Sequence, residues 1–377
     1  MPGPLYGLRV VEMAGLGPCP LAGQLLADMG AEVIVIDRRS DERMELGGGV
    51  NRRGKQSVAV NLKDEAGREV VLRLAGRADV LIEGFRPGVM ERLGLGPDVC
   101  AARNPGLVFG RMTGWGQEGP LSSAAGHDLN YLSLTGALHA MGDKDRPPTP
   151  PLNLVADYGG GTMFLVTGVL AALFERSRSG RGQVVDAAMV DGVPALMGIM
   201  HGMLAKGNWK NERSANMLDG GAPFYRCYAC ADGKFVSVGA LEPQFFEIVA
   251  EKLDIDKSWL SARMDKSRWG ELTAIMTDIF AGRTRDEWAA LFEGSDACVA
   301  PVLDWDEAPS HPHMAARGVF VKPGGVMQAA PAPRFSRTAS AMPEQPHAAG
   351  ADTGAVLAEL GYSDAEIENM REGGALT

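Results

Sequence analysis

The first third of the chain alternates short apolar runs with helix-length stretches, and this alternation restricts the fold more than any other feature. "LRVVEMA" reads as a buried strand, "CPLAGQLLADMGA" as a helix ending at a glycine, and "EVIVIDR" as a second strand. "SVAVNL" follows as a third strand, "DEAGREVVLRLAGRA" as an amphipathic helix, and "DVLIEGF" as a fourth strand. "VMERLGLG" reads as a helix and "LVFGRMTGWG" as a strand opening into a glycine-rich loop. Strands joined by helices in this way need crossover connections. The expected class is therefore α/β, a doubly wound, Rossmann-like parallel sheet with helices on both faces.

The chain has 377 residues, and single cores stop growing near ~250–300 residues, so a second domain is expected. A Pro-rich surface loop, "AMGDKDRPPTPPLN", precedes a long apolar helix that starts at Asp157 and closes with a basic turn before Gly180. Further on, "FYRCYACADGKFVSVGA" reads as a hairpin turning at Asp-Gly, followed by helical stretches such as "EPQFFEIVAEKL". The expected division is a large α/β domain over 1–190, a linker with helical content over 191–224 and a smaller α+β domain over 225–318. The segment 319–377 then returns to the large domain.

Composition excludes several classes. A formal charge of −10 leaves no basic excess for neutralising nucleic-acid phosphates. Five scattered Cys, an odd number, suit a reducing compartment better than a disulfide framework. The C-x-x-C pair Cys227 and Cys230 has no second pair, so it reads as strand and turn cysteines rather than a metal site. No signal peptide, no peroxisomal tripeptide and no uninterrupted apolar run of ~20 residues is found. The expectation is a cytoplasmic protein that does not engage a membrane.

One motif misleads. Gly15-x-Gly17 lies between a strand and a helix, and Asp37 ends the next strand, which imitates a dinucleotide-binding fingerprint. Yet Pro18 and Pro20 remove two backbone N–H donors that a pyrophosphate would use. The basic residue after Asp37, Arg38, suits a phosphate.

Three acid/base candidates stand at element edges. His127 opens the helix "HDLNYLSLTGALHAMG", Asp157 opens the helix after the Pro-rich loop, and Glu242 precedes Pro243 and a further helix. Taken singly, each has a plainer reading: a loop histidine, an N-cap aspartate and a solvated first-turn glutamate.

Together with their surroundings these residues resemble the α-methylacyl-CoA racemases of the class III CoA-transferase superfamily, in their bacterial branch. The resemblance is carried by "GLRVVEMAGLGPCPLAGQLLADMGAEVIVIDR", "DVLIEGFRPGVMERLGLGP", "AGHDLNYLSLTGALHAMG", "PPLNLVADYGGGTMFLVTGVLAAL" and "ANMLDGGAPFYRCYACADGKFVSVGALEPQFF", and it spans almost the entire chain. It implies an interlocked homodimer and a role in fatty acid and lipid metabolism on 2-methylacyl-CoA thioesters, with no cofactor beyond the CoA of the substrate and no metal. His127 and Asp157 would be the two catalytic bases, with Glu242 from the partner subunit's small domain holding the His ring. Arg38 would hold CoA phosphates. Val60, Asn61, Leu62 and Lys63, the turn Gly84, Phe85 and Arg86, and Arg92 would line the CoA site. Gly126, Asp128, Leu129, Asn130 and Tyr131 would border the thioester. Val60–Asn61 departs from the commoner pattern ending in Asp, which weakens the case for side-chain contacts from Asn61.

These residue types suit the implied reaction. Removing a thioester's α-proton leaves an enolate, and inverting the carbon needs a base on each face, one taking a proton while the other gives one. A helix start at 126–128 offers backbone N–H groups to the oxygen that gains charge. The alternative on the same fold is CoA transfer between carboxylates, with Asp157 as the nucleophile forming an acyl anhydride. That chemistry has no use for a histidine facing the α-carbon.

Overall fold

The computed structural model describes residues 3–37 and 49–377. The chain divides into two compact units. The first comprises Met1–Thr135, Leu152–Leu196 and Ala316–Thr377; the second comprises Gly136–Pro151 and Met197–Ala315.

The first unit is the expected α/β layer structure. Its chain order begins β1 (Arg9–Met13), α1 (Pro18–Asp28), β2 (Glu32–Asp37), β3 (Lys55–Ala59), α2 (Glu65–Ala75) and β4 (Val80–Glu83). It continues with α3 (Val89–Arg92), α4 (Pro97–Arg103), β5 (Val108–Thr113) and α5 (Asp128–Leu134). A π-helical segment (Leu154–Thr162) then runs into α6 (Met163–Ser179), followed by β6 (Val184–Ala188) and α7 (Met189–Leu196). The six strands pair only in parallel, in the order β3-β2-β1-β4-β5-β6. Residues of β1, β2 and β4 such as Val11, Ile34 and Leu81 are fully buried, as strands covered on both faces must be. The order reverses between β1 and β4. In open α/β sheets such a reversal, at the carboxyl ends of the strands, is where ligands bind.

Two features hold α1 over this sheet. Lys55 Nζ donates to Glu12 Oε2 at 2.6 Å and to the Pro20 carbonyl at 2.8 Å, both side chains being almost wholly buried. Glu12 fills the space beside Gly23, where a Cβ would lie 1.8 Å from its Oε2. Only a glycine lets the helix sit down on this pair.

The continuous helix Leu154–Ser179 is long and apolar enough, by length and composition, to cross a membrane. Counting uninterrupted apolar residues passes over it because Asp157 lies inside it. In the fold it packs on the sheet: Leu165, Val166, Val169 and Ala172 are buried, with Leu165 and Val169 against Gly110 of β5.

The C-terminal helices Thr353–Glu359 and Asp364–Glu372 send Val356, Leu357 and Ile367 into the core that also holds Val58, Val70 and Leu74. The chain end then pairs beside β3, with an antiparallel bridge between Val60 and Leu376.

The second unit contains α8 (Gly198–Ala205), an antiparallel sheet of β7 (Tyr225–Ala229), β8 (Phe235–Gly239) and β9 (Val299–Val302), and α9 (Pro243–Lys252) with further helices after it. The β7–β8 hairpin turns at Asp232–Gly233, where Gly233 has φ +75°. Cys227 lies in β7 and Cys230 just beyond it. The core is aromatic: Tyr228 stacks on Phe280 with centroids 5.0 Å apart, and Trp288 meets Phe280 edge-on at 5.1 Å.

The unit boundaries differ from those expected. The Pro-rich segment 136–151 belongs with the second unit, because the Arg213 guanidinium donates to the carbonyls of His139, Asp143 and Arg146 at 2.9–3.1 Å. The second unit also begins its main stretch at Met197 rather than at 225.

Candidate functional site

α5 is shorter than its apolar spacing suggests. It ends at Leu134, since Gly136 takes φ +83° and breaks the run expected to continue toward 142. His127 precedes the first helical residue in extended conformation, and its N–H donates to Asn130 Oδ1 at 3.1 Å. The loop before it is clamped by Tyr131. That ring stands edge-on to Trp115, 4.8 Å between centroids, and its hydroxyl donates to the Gly126 carbonyl. Gly114 and Gly126 make room for it, since a Cβ on either would lie 2.0 or 2.6 Å from the ring. His127 itself is exposed, as are Leu129 and Asn130, so the start of α5 presents an accessible imidazole on a fixed backbone.

Asp157 does not open its helix. The segment starts at Leu154, after Asn153, and its first nine residues are π-helical, a widened coil frequently found at functional sites. Three successive glycines, 159–161, let it press on α7: a Cβ at Gly160 would lie 2.7 Å from Val193 Cγ2, and one at Gly192 would lie 1.9 Å from the Gly160 carbonyl oxygen. The Asp157 carboxyl is thereby brought over the loop leaving β1, where a Cβ on Gly17 would sit 3.3 Å from its Oδ2. Asn153 Nδ2 donates to the same oxygen at 3.4 Å. Burial pushes this carboxyl above the ordinary aspartate range; the bond from Asn153 opposes that, the charge of Asp128 adds to it, and His127 opposes it. The charge of His127 therefore reaches the Asp157 carboxyl.

Asp128 links the two. Its Oδ1 accepts from the backbone N–H of Ala156 at 3.0 Å and of Asp157 at 2.7 Å. Residues of this kind escape sequence reading, because the bond joins positions 28 and 29 residues apart.

The residues expected to line a CoA site fall into groups. Arg38 lies outside the described residues. Val60 is fully buried and bridges Leu376, so its side chain packs within the core. The Asn61 side chain accepts from Lys63 N and donates to the Gly374 carbonyl, leaving it engaged within the fold. Leu62 packs on the core and Lys63 is exposed. Past β4, Gly84 and Arg86 are exposed, and the turn is anchored by Phe85 N donating to Glu83 Oε2 at 2.7 Å. Glu83 is in turn held by Arg111 Nε at 2.9 Å. Arg92 is exposed on α3, and the Arg86 charge reaches Tyr131, lowering a phenol that burial raises. The dinucleotide imitation ends here: the buried Asp37 carboxylate accepts from Arg52 and from Ser57 Oγ, so it is engaged inside the fold.

In the second unit, Glu242 is exposed and precedes α9. Burial lowers the proton affinity of Arg263 and the Glu242 charge opposes this, while burial raises the Cys298 thiol and the Glu242 charge adds to it. A cleft of about 570 Å³ in this unit is lined by Tyr225, Arg226, Cys227, Ser237 and Cys298 among others, and by none of the residues expected to form the catalytic or CoA site.

The doubly wound parallel sheet, with Asp157 seated over the loop leaving β1 and tied through Asp128 to the helix that follows His127, makes this an α/β protein. The chain belongs to CoA-transferase family III, whose model matches residues 5–353. It is 45% identical to the α-methylacyl-CoA racemase of Mus musculus over 366 residues, covering 96% of this chain and 95% of that protein. It is 42% identical to the Homo sapiens α-methylacyl-CoA racemase, covering 97% and 96% respectively. Among solved structures, a CAIB/BAIF family protein from Brucella suis superposes with TM-score 0.82 at 28% identity, covering 96% of this chain and all of that one.

Proposed function

We propose that this chain is an α-methylacyl-CoA racemase, interconverting (R)- and (S)-2-methylacyl-CoA thioesters. The observation that carries the reading is the seating of the half-buried Asp157 carboxyl over the loop leaving β1, with its backbone tied by Asp128 to the start of α5 directly after His127. The near-full-length identity to mouse and human racemases supports it.

In this reading the neutral His127 imidazole takes the α-proton from one face, and protonated Asp157 delivers a proton to the other; the reverse direction exchanges the roles. The electron pair of the broken C–H bond rests on the thioester oxygen as an enolate and returns to carbon. Backbone N–H groups at the start of α5 face that oxygen, in the field of the helix end. The raised proton affinity of Asp157 suits it to give as well as take a proton. The thioester itself acidifies the α-carbon, so these steps call on no metal or redox group. Arg86, Arg92, Lys63 and Arg38 would bind the CoA phosphates, and Glu242 of a second subunit would orient the His127 ring in a homodimer. A cytoplasmic location completes the proposal.

Incubating a single enantiomer of a 2-methylacyl-CoA in deuterated water tests it. Both enantiomers carrying α-deuterium are expected. Transfer of CoA to an added carboxylate with no label at the α-carbon would instead make Asp157 an acyl-anhydride nucleophile and overturn the racemase reading.

A further inference from the structure

The buried carboxylate of Asp128 has no evident place in the two-base scheme, yet it is the physical link between the bases. It sits on the first turn of α5, immediately after His127, and is about 7% exposed. Its Oδ1 accepts two N–H groups from the first turn of the π-helical segment, those of Ala156 and Asp157. Donors at a helix start have no partner within the helix, so an outside acceptor must supply one or the end frays. Here that acceptor comes from another helix. Its second oxygen, Oδ2, is buried with no hydrogen-bond partner among the described residues. No donor disperses the charge there, and it acts on the neighbouring carboxyl.

Resting on the racemase reading, we propose that Asp128 is a positioning residue: it fixes the Asp157 carboxyl relative to His127 by tying the π-helical segment to α5. Asp157 lies three residues into a segment whose wide coil contains three glycines, and such a segment needs an external tie to keep one register. The groups acting on Asp157 come from α5 and from Asn153, whose Nδ2 donates to its Oδ2. Asp128 and His127 act directly, and the Tyr131 hydroxyl senses the Asp157 charge. The α1 side offers the backbone at Gly17, and α7 sets Met189 and Val193 against Gly160 and Gly161. A change at Asp128 is thus a change in the main negative charge facing Asp157.

Two variants separate geometry from charge. Asp128→Ala removes the acceptor, and kcat is expected to fall about 100-fold with KM within about threefold, since a misplacement near 1 Å costs about that much. Asp128→Asn keeps a carbonyl oxygen for both N–H groups but removes the charge. It should retain most of kcat and move the acidic limb of kcat/KM to lower pH in the direction that uses Asp157 as base, because a carboxyl relieved of a negative neighbour ionises more readily. Amide hydrogen exchange supplies a readout independent of activity: Ala156 and Asp157 should be protected in the wild type and exchange at least about tenfold faster in Asp128→Ala.

Unchanged kcat in Asp128→Ala, an unmoved limb in Asp128→Asn, or unprotected amides at 156 and 157 would each overturn the proposal. A wild type that protects these amides but does not racemise would leave the tie standing and remove the racemase reading.

Discussion

Replacing Gly17 by alanine is expected to damage both the fold and turnover, and the size of each effect follows from the local geometry. Gly17 precedes α1 with φ +69° and ψ −119°, a conformation that glycine adopts freely and L-residues almost never do. Holding alanine there costs ~1–3 kcal/mol. The added Cβ would also press on the Asp157 carboxyl, 3.3 Å from Oδ2 and 3.9 Å from Cγ. That carboxyl has little room to retreat, since Asp128 holds its backbone N–H at 2.7 Å and Asn153 reaches its Oδ2 at 3.4 Å. A displacement of a few tenths of an ångström in one of the two bases should lower kcat by about tenfold, against about 100-fold for a full ångström. Urea unfolding measures the first effect and steady-state racemisation of a 2-methylacyl-CoA the second. Gly15→Ala is the control: its φ is not in the left-handed region and its nearest neighbour to a Cβ is 3.9 Å away, so it should stay near wild type in both assays. A Gly17→Ala protein within about 0.5 kcal/mol and twofold of wild type would refute the reasoning. Equal damage at both glycines would point instead to a role for the Gly-x-Gly pair as a unit.

Two further outcomes follow from buried charge. Lys55→Met strands Glu12 beneath α1 and should cost ~3–5 kcal/mol, while Glu12→Gln with Lys55→Met should recover most of it; a single variant as stable as wild type in urea would contradict this. Asp157→Asn addresses linkage. The folded state binds the Asp157 proton more tightly than the unfolded chain does, so this group's contribution to stability is full below the ordinary aspartate range and is lost as pH rises through the raised value. The Asn variant should therefore gain on wild type as pH rises above the ordinary aspartate range, about 3.9, and through the raised value, and a wild type that keeps its whole low-pH advantage at neutral pH would exclude the raised affinity.

The parallel sheet was legible because its signal is local. Runs such as "EVIVIDR" carry their own periodicity, and helices between them leave few topologies open. The hairpin at Asp232–Gly233 was legible for the same reason. What escaped depends on partners far along the chain. Asp157 reads as an N-cap from its neighbours alone, yet its segment starts three residues earlier and is tied down by Asp128. The strand read from "SVAVNL" carries no mark of the chain end that bridges Val60 at Leu376. The Pro-rich segment 136–151 carries no mark of the unit it joins, because Arg213 supplies the tie. Gly136 reads as a tolerated helix glycine, and only its positive φ reveals the break.

The two-base claim is tested most directly by α-proton exchange in His127→Ala and Asp157→Asn, each given the separate enantiomers in deuterated water. Neither variant should interconvert enantiomers, but each should still wash deuterium into one of them through its surviving base, the two variants acting on opposite enantiomers. Exchange of the same enantiomer by both variants, or racemisation by either, would contradict a base on each face of the carbon.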